Sequence, residues 1–378
     1  MSVLLEQAGA SSDGLAGKLR EIVNDLRDEY RQPHAVPWII GFSGGKDSTL
    51  LAQLVFEMLL DLPPRERRRT VHIVANDTLV ESPVLGRHLD AVLEKISAAV
   101  KPLRLPMIVA KTTPEADQTF WVNLIGRGYP SPSRIFRWCT DRMKIQPTTQ
   151  YITDQVSAAG QAILLLGVRR SESVQRRRSV ERYENGERLN PHTTLAGCMV
   201  YKPIVELDTD EVWQTLLQVV PPWGGTHRDI VTLYRNAGGA ECPLVTDKSE
   251  APSCGSNSSR FGCWTCTVVE KDKSAAAFAE AGYEDIEPLL EFRDWLKEIR
   301  ERGDMRMSKR RNGSLNFVGE GRLIPGPFTL EARQEILARL QQIQSEVSYP
   351  LIREEEIEII KQIWAKDFSD PVKAVANV

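Results

Sequence analysis

A loop of glycine, serine and lysine offers the clearest chemistry in this sequence. Residues 43–48 read Ser-Gly-Gly-Lys-Asp-Ser and follow the apolar run 37–42. Glycines let the backbone approach an anion closely, and the start of the helix that should follow offers N–H groups to a phosphate. Lys46 adds a positive charge and the serines add hydroxyl groups. The loop is therefore predicted to hold a pyrophosphate group.

The predicted nucleotide contacts in this loop are six consecutive residues, Ser43, Gly44, Gly45, Lys46, Asp47 and Ser48. Lys46 and Asp47 are also assigned catalytic roles, and Asp47 is expected to help hold Mg²⁺. The loop is not a Walker A motif, because Asp47 follows the lysine where that motif needs serine or threonine, and Ile40 replaces its first glycine. Transfer of a γ-phosphoryl group is thus not the expected reaction. A plain strand-to-helix turn is the structural alternative.

Cysteines form a second chemical group. Four of the six lie within 25 positions in the pattern Cys-x11-Cys-x8-Cys-x2-Cys, namely Cys242, Cys254, Cys263 and Cys266. Four thiolates at such spacing predict a metal centre. Zinc ribbons usually show two close pairs and this pattern has one, which favours a [4Fe–4S] cluster over zinc. A redox disulfide between Cys263 and Cys266 is a weaker alternative.

Cys139 lies among cationic residues, with Arg137, Arg142 and Lys144 close by in sequence. Cationic neighbours lower the pKa of a thiol and favour the nucleophilic thiolate. Cys139 is therefore a candidate catalytic residue that accepts sulfur as a persulfide, with a buried apolar cysteine as the alternative. Arg137 and Lys144 are also predicted to contact the nucleotide. Cys198, in an apolar context, is expected in the core.

Further candidate nucleotide-binding residues follow two other predicted strands. These are Asp77 after the strand 71–75, and Gly167, Arg169 and Arg170 after the strand 162–166. Asp77 suits contact with the adenosine portion of a nucleotide, or a helix cap. The arginines suit bidentate phosphate binding, and Arg169 is also assigned a catalytic role.

Alternating strands and helices must position these residues. Apolar runs predict strands at 37–42, 71–75, 107–110 and 162–166, and periodic apolar residues predict helices at 15–30, 50–59 and 84–99. This alternation predicts an α/β fold, a parallel twisted sheet with helices on both faces. Active sites in such folds lie at the carboxyl ends of the strands.

The remaining chain changes character. Helices are predicted at 286–300, 329–347 and 352–365, with a Gly- and Arg-rich loop at 302–327. The expected domains are therefore an α/β domain with an N-terminal helix at 1–240, a four-cysteine iron–sulfur loop at 241–275 and a helical C-terminal region at 276–378.

Composition limits the possible environments and partners. The chain has 378 residues and a formal net charge of −3, so bulk charge gives no general attraction to nucleic acid. Basic runs at 65–69, 176–178 and 309–311 are more simply solvated loops than DNA patches. No apolar run approaches the roughly 18 residues that span a bilayer, and the first residues do not resemble a signal peptide. We expect a cytoplasmic protein without a membrane partner.

The loop 43–48 resembles the PP-loop of ATP pyrophosphatases, which have an adenine nucleotide alpha hydrolase-like fold. That resemblance implies cleavage of ATP between its α and β phosphates, with adenylation of a substrate and release of pyrophosphate. The segments 134–147 and 167–173 resemble the phosphoadenosine phosphosulfate (PAPS) reductase branch of these proteins.

Several segments together resemble the C component of the bacterial Dnd DNA phosphorothioation system. They are 41–49, 76–84, 119–132, 136–147, 241–245, 253–274 and 324–329. The resemblance implies an iron–sulfur ATP pyrophosphatase that acts with a cysteine desulfurase and other phosphorothioation proteins. Together these replace a non-bridging phosphate oxygen of DNA by sulfur. The analogue in the Ssp system shares the same core.

Two departures from that family bear on the DNA substrate. The C-terminal region is compact, and the chain lacks overall positive charge, so DNA contact is expected through the complex. Three other functions stay open from the sequence. One is a PAPS reductase-like enzyme of small-molecule sulfur metabolism, another is tRNA thiolation, and the third is a non-catalytic nucleotide-sensing scaffold of a DNA-modifying complex.

Overall fold

A computed structural model describes residues 14–183, 186–237, 262–319 and 321–369. The described chain divides into two units that alternate along the sequence. The first consists of the described residues of Met1–Asn76, Val84–Thr112 and Thr148–Ser258, and the second of those of Asp77–Pro83, Thr113–Pro147 and Ser259–Val378. The consecutive domains expected from the sequence stay a prediction.

A six-stranded sheet forms the centre of the first unit. Its strands are β1 (Trp38–Phe42), β2 (Val71–Asn76), β3 (Met107–Thr112), β4 (Ala162–Leu165), β5 (Leu189–Pro191) and β6 (Cys198–Tyr201). They lie in the order β3-β2-β1-β4-β6-β5, and every neighbouring pair is parallel except β5 with β6. The predicted α/β fold with a largely parallel sheet is confirmed. The antiparallel edge pair is an addition to it.

Helices account for most of the remaining described chain. In order they are α1 (Leu15–Tyr30), α2 (Lys46–Asp61), α3 (Pro83–Val100), α4 (Trp138–Thr140), α5 (Gln146–Ala159), α6 (Val174–Tyr183), α7 (Thr209–Gln218), α8 (Arg228–Asn236), α9 (Lys273–Glu280), α10 (Ile286–Glu301), α11 (Leu330–Glu346) and α12 (Glu354–Ser369). The predicted helical C-terminal region is confirmed by α10 to α12. A short hairpin, β7 (Phe317–Val318) and β8 (Arg322–Leu323), lies within the segment predicted as a loop.

Side chains of the sheet enter two apolar cores, one on each face. Trp38 and Ile40 of β1 lie in the larger core with Leu54 of α2, whereas Ile39 lies in the second core with Ile152 of α5. All five side chains are buried. Strands of a parallel sheet bury both faces, so their sequences are apolar throughout rather than alternating. The prediction of helices on both faces is confirmed.

The second unit has an aromatic core. The ring centroids of Trp121 and Trp264 are 5.7 Å apart, and Phe292 of α10 lies 6.1 Å from each of them. Large aromatic side chains bury much apolar area in a small core. Since Trp264 lies between Cys263 and Cys266 in sequence, this core anchors the cysteine-bearing segment. Within the described residues, no helix combines the length and apolar character needed to cross a bilayer.

One buried histidine gives the first unit a pH dependence. His227 is 5 % exposed, and its Nε2 lies 2.6 Å from Oε1 of Gln53 on α2. Burial lowers the pKa of His227 from 6.5 to about 4. Below pH 6.5 the unfolded chain therefore binds a proton that the folded chain excludes.

We predict that the free energy of unfolding falls as the pH is lowered from 7 towards 4, with His227 contributing up to about 3 kcal/mol of the loss. In His227→Gln, whose amide can reproduce the contact to Gln53, that part of the pH dependence should disappear. Urea unfolding of both proteins at pH 7.5 and pH 5 measures the difference. Equal pH dependence in the two proteins would contradict the assignment.

Candidate functional site

The loop 43–48, called the phosphate loop below, connects β1 to α2. α2 begins at Lys46, so Lys46, Asp47 and Ser48 form its first turn, and this start precedes the predicted helix 50–59 by four residues. The first N–H groups of a helix have no acceptor within it. Gly44 has φ +72°, a conformation that favours glycine. The loop thus leads into the start of a helix, as the sequence predicts, and its binding of an anion stays a prediction.

The two serines of the loop hold its shape. The backbone N–H of Ser43 donates to Oγ of Ser48 at 3.2 Å, and the two Oγ atoms are 3.1 Å apart. Oγ of Ser48 also lies 3.0 Å from the carbonyl oxygen of Gly45, to which it donates. Both hydroxyls are therefore engaged in bonds that close the turn.

Three charged groups meet beside the loop. Lys46 is 2 % exposed and Arg169 is 1 % exposed. Nζ of Lys46 lies 3.3 Å from Oδ2 of Asp47, and Nε of Arg169 lies 2.6 Å from Oδ1 of the same carboxylate. Two buried cations thus share one carboxylate, which places both of them beside the start of α2.

Arg169 has one group left for such a ligand. Its Nη1 donates to Oγ of Ser171 at 2.9 Å and to Oγ1 of Thr209 at 3.1 Å. Among the described residues its Nη2 is buried without a hydrogen-bond partner. A buried donor without a partner is costly, and a phosphate oxygen would satisfy it. The structure thus brings Arg169 to the phosphate loop, where the sequence predicted it.

Gly167 has a packing role at the loop. A Cβ atom there would lie 2.9 Å from the carbonyl oxygen of Asp47 and 3.1 Å from the backbone nitrogen of Ser48. Side-chain atoms do not approach backbone so closely. Glycine at this position therefore allows the end of β4 to lie against the phosphate loop.

Tyr234 of α8 is a site residue that the sequence analysis missed. Nζ of Lys46 lies 5.3 Å from the centroid of its ring, and a Cβ atom on Gly45 would lie 3.4 Å from its hydroxyl. Trp213 of α7 supports the ring edge-on at 5.0 Å. No local sequence signal marks Tyr234, because it is far from the loop along the chain.

Two predicted nucleotide contacts have other partners. Nε of Arg170 lies 2.7 Å from Oε1 of Glu206, whose carboxylate is largely exposed. Asp77, in the second unit, accepts a hydrogen bond from the backbone N–H of Leu79 at 2.8 Å. Leu79 has φ +64°, and this side-chain bond supports its unusual turn. Their contact with a nucleotide stays a prediction.

In the second unit, the segment 262–266, which carries Cys263 and Cys266, pairs with the segment 78–82. Trp264 donates its backbone N–H to Val80 at 3.1 Å, and Ser82 donates to Gly262 at 3.3 Å. Cys263 and Cys266 lie in one turn, in which the N–H of Cys266 donates to the carbonyl of Cys263 at 3.0 Å. The two thiols are thereby held in one turn.

Polar groups surround the thiol of Cys263. Oγ1 of Thr78 lies 3.3 Å from its Sγ and donates to Oε1 of Glu81 at 3.0 Å. Nζ of Lys144 lies 3.2 Å from the same Glu81 oxygen. Burial, followed by the charge of Glu81, raises the pKa of Cys263. The Cys263 thiolate and then Glu81 raise the pKa of Lys144 against the effect of burial.

Cys139 belongs to the same electrostatic group. Burial raises its pKa, and a negative charge on Cys266 raises it further. The expectation that neighbouring arginines lower this pKa is therefore wrong for the thiol as it stands. Arg142 instead lies over the ring of Tyr129, 5.5 Å from its centroid, and donates to Gln118.

The described part of the predicted metal centre fits a soft metal. Cys263 and Cys266 are free thiols, partly buried and held in one turn, and thiolates suit iron–sulfur clusters and zinc. Cys242 and Cys254 lie outside the described residues. Within the described ranges no three potential ligands are close enough to bind one metal ion, so the four-cysteine centre stays a prediction. Cys198 is buried in the core, as predicted.

Arg293 of α10 supports the cysteine turn and was also missed. Its side chain is fully buried, and its Nε donates to the carbonyl oxygen of Cys266 at 2.9 Å. It also donates to the carbonyls of Glu270 and Val269. One guanidinium thus holds the backbone that follows the Cys-x2-Cys turn. Only its position on a mostly apolar helix face could have suggested this role.

A comparison with protein families assigns the chain to a family. The model of the phosphoadenosine phosphosulfate reductase domain matches residues 37–269, more than half of the sequence. The chain therefore belongs to this family, a PP-loop family that binds nucleotides and whose members are nucleotide-utilising enzymes.

Individual relatives are distant. An uncharacterized protein of Methanocaldococcus jannaschii is 22 % identical over 204 residues, which are 54 % of this chain and 36 % of that protein. The match thus spans about a third of the relative's length.

Solved structures are similar at low scores. The PAPS reductase of Candida auris in its phosphate complex is 11 % identical, with 55 % of this chain and 86 % of that chain covered and a TM-score of 0.34. The U34-tRNA thiolase of Methanococcus maripaludis with its [4Fe–4S] cluster is 13 % identical, with coverage of 63 % and 86 % and a TM-score of 0.32. The NH3-dependent NAD synthetase of Campylobacter jejuni is 13 % identical, with coverage of 62 % and 89 % and a TM-score of 0.33.

The close approach at Gly167 gives a testable prediction. Gly167→Ala should weaken ATP binding about tenfold or more, because the added methyl group must displace the backbone of Asp47 and Ser48. Calorimetric titration with ATP measures the affinity. Gly86→Ala is the matched control, since a Cβ atom at Gly86 meets nothing within 4 Å. Unchanged affinity for ATP in Gly167→Ala would contradict the prediction, because it would mean that ATP binding does not depend on the backbone position of Asp47 and Ser48.

Proposed function

We propose that this chain is the ATP pyrophosphatase and sulfurtransferase component of bacterial DNA phosphorothioate modification. The observation that supports it most is the pair of buried cations, Lys46 and Arg169, which share the Asp47 carboxylate at the start of α2. A site of this kind favours a polyphosphate. The resemblance of the cysteine-bearing and 119–147 segments to the Dnd family supports DNA as the substrate.

The first step is activation of a DNA phosphate. A non-bridging oxygen attacks the α-phosphorus of ATP, the bond from that phosphorus to the oxygen bridging the β-phosphate breaks, and pyrophosphate leaves with the electron pair. The loop N–H groups, Lys46 and Arg169 offset the charge on the leaving pyrophosphate. Asp47 is the carboxylate that would help hold Mg²⁺, which neutralises phosphate oxygens.

The second step is sulfur transfer. A cysteine desulfurase supplies a sulfur atom to Cys139, forming a persulfide. Its terminal sulfur attacks the activated DNA phosphorus, and AMP leaves with the electron pair. The thiol of a second cysteine then attacks the Sγ atom of Cys139. The bond between this Sγ and the transferred sulfur breaks, which releases the phosphorothioate and leaves a disulfide between the two cysteines. An external thiol reductant restores both cysteines.

The cysteine centre is proposed as a [4Fe–4S] cluster, with zinc as the less favoured metal. Cys263 and Cys266 would supply two of its four thiolates, with Cys242 and Cys254 supplying the others. A bound cluster would add a redox-active, sulfide-bearing group. Lys144, whose Nζ lies 3.2 Å from Glu81 beside Cys263, would offset negative charge there. The cysteine desulfurase and other phosphorothioation proteins are the proposed partners.

The family match itself favours a second candidate, a PAPS reductase-like enzyme of small-molecule sulfur metabolism. That enzyme would release sulfite from a sulfonucleotide. Sulfite formed from PAPS, with no pyrophosphate formed from ATP, would favour this alternative over the DNA-modifying function.

Pyrophosphate release tests the role of the phosphate loop. We predict that ATP yields AMP and pyrophosphate, and that Lys46→Ala lowers kcat about 100-fold or more because charge on the leaving group is no longer offset. Arg188→Ala is the control, since Arg188 pairs with Asp25 at the surface of the same unit. Formation of ADP and phosphate, or an equal rate in Lys46→Ala, would contradict the assignment.

Spectroscopy of anaerobically purified protein tests the metal. We predict broad visible absorption with iron and acid-labile sulfide, all lost in Cys263→Ser because a thiolate ligand is missing. Cys198→Ala should keep them, since Cys198 lies in the core of the other unit. Zinc without sulfide in the wild-type protein would exclude the cluster.

A further inference from the structure

An exposed turn directly precedes Cys139. Ser133 and Phe136 close it by donating their backbone N–H groups to each other's carbonyls, at 3.1 and 3.3 Å. The turn carries Ile135 at its tip with 98 % of the side chain exposed, the highest value among the large hydrophobic residues that the structure describes. The residues 133–136 are named the 133–136 turn below.

The base of this turn is firmly held. The carbonyl oxygen of Pro132 accepts hydrogen bonds from Oγ1 of Thr267 and from Nη1 of Arg300, both at 2.6 Å. Ser131 is buried and donates to the carbonyl of Leu296 at 2.8 Å. The tip of the turn therefore projects from a base that hydrogen bonds hold in place. Ile135 is exposed because of this fixed conformation of the backbone.

Arginines flank the exposed apolar tip. Arg134 and Arg137 are both exposed, and neither side chain has a hydrogen bond or ion pair with any residue that the structure describes. A single exposed hydrophobic residue is common on protein surfaces. The charge of Arg134 also acts on the exposed Glu270 carboxylate. An isoleucine at the tip of a fixed turn between two exposed guanidinium groups matches the chemistry of a DNA backbone beside a base step. Proteins that bind the minor groove insert such apolar wedges between bases and place arginines on the groove and phosphates.

The turn also lies next to the proposed sulfur chemistry. Cys139 follows Arg137 by two residues, at most about 7 Å of extended chain. On the other side, Thr267 binds the base of the turn and directly follows Cys266. A DNA strand held at the turn would thus be held close to both thiols.

We infer that the 133–136 turn is a DNA-contacting wedge, with Ile135 inserted at a base step and Arg134 and Arg137 on adjacent phosphates. This inference rests on the proposed function, which makes DNA the substrate. It also supplies the local basic patch that a chain of net charge −3 needs.

Binding of a fluorescein-labelled DNA duplex by the full chain tests the inference. Arg134→Ala should weaken binding and reduce the slope of log affinity against log salt by about one, because one phosphate contact is lost. Ile135→Ala should weaken binding about fivefold or more. It should also abolish a bend detected by energy transfer between dyes at the duplex ends, since wedges kink DNA. Arg65→Ala and Leu217→Ala remove an exposed arginine and an exposed apolar residue of the other unit, and should bind as the wild type does.

The outcomes separate this inference from the proposed function. Wild-type affinity and bending in both turn variants would overturn the wedge, as would loss of desulfurase binding with DNA binding intact. The affinity for ATP, which needs no DNA, is measured by calorimetry on the same proteins and should be unchanged in Arg134→Ala and Ile135→Ala. A wild-type protein that bends DNA but releases no pyrophosphate from ATP in the presence of DNA would defeat the proposed enzyme while supporting the wedge.

Discussion

The carboxylate of Asp47 is the group on which the phosphate loop depends. It lies between two almost fully buried cations, Lys46 and Arg169. Burying a charge without a partner is very costly, and removing one partner of a buried pair leaves that cost uncompensated. Asp47 therefore allows two cations to stay beside the start of α2 before any anion binds. The cations lie where the N–H groups of a helix start favour an anion, and this arrangement prepares the loop for phosphate.

Close approach of backbone to backbone follows from that arrangement. Arg169 can reach Asp47 because β4 ends directly beside the phosphate loop, where Gly167 leaves no side chain against the Asp47 carbonyl. Gly44 lets the chain turn sharply enough for the first helical turn to carry Lys46 and Asp47. The serines close the turn from within. The positions of the charged residues Lys46, Asp47 and Arg169 thus depend on the two glycines.

Buried arginines play a different part in the second unit. Arg293 and Arg333 donate to backbone carbonyls of irregular chain, at Cys266 and Phe328 among others. Burial lowers the pKa of Arg333 to about 10. Irregular segments leave carbonyl groups that no helix or strand satisfies, and buried carbonyls need partners. A guanidinium with five donors meets several of them at once. The cysteine turn is therefore stabilised by side chains, which matches a segment that has little regular structure.

The sequence by itself determined the parallel sheet, the phosphate loop and the helical C-terminal region. These follow from local signals, since continuous apolar runs predict buried strands and a glycine-rich turn into a helix predicts an anion site. From its place after a strand, it also indicated that Arg169 lies at the phosphate loop, which the contact with Asp47 bears out. Tertiary structure alone decided which distant residues complete each site. Tyr234 beside Lys46, Glu81 and Thr78 beside Cys263, and Arg293 behind Cys266 are separated from those residues by long stretches of chain. Spacing along a sequence carries no record of such contacts. Whether the pKa of Cys139 is raised or lowered was also decided by the tertiary structure. Burial of the thiol depends on the packing of the whole unit, whereas the sequence showed only the neighbouring charges.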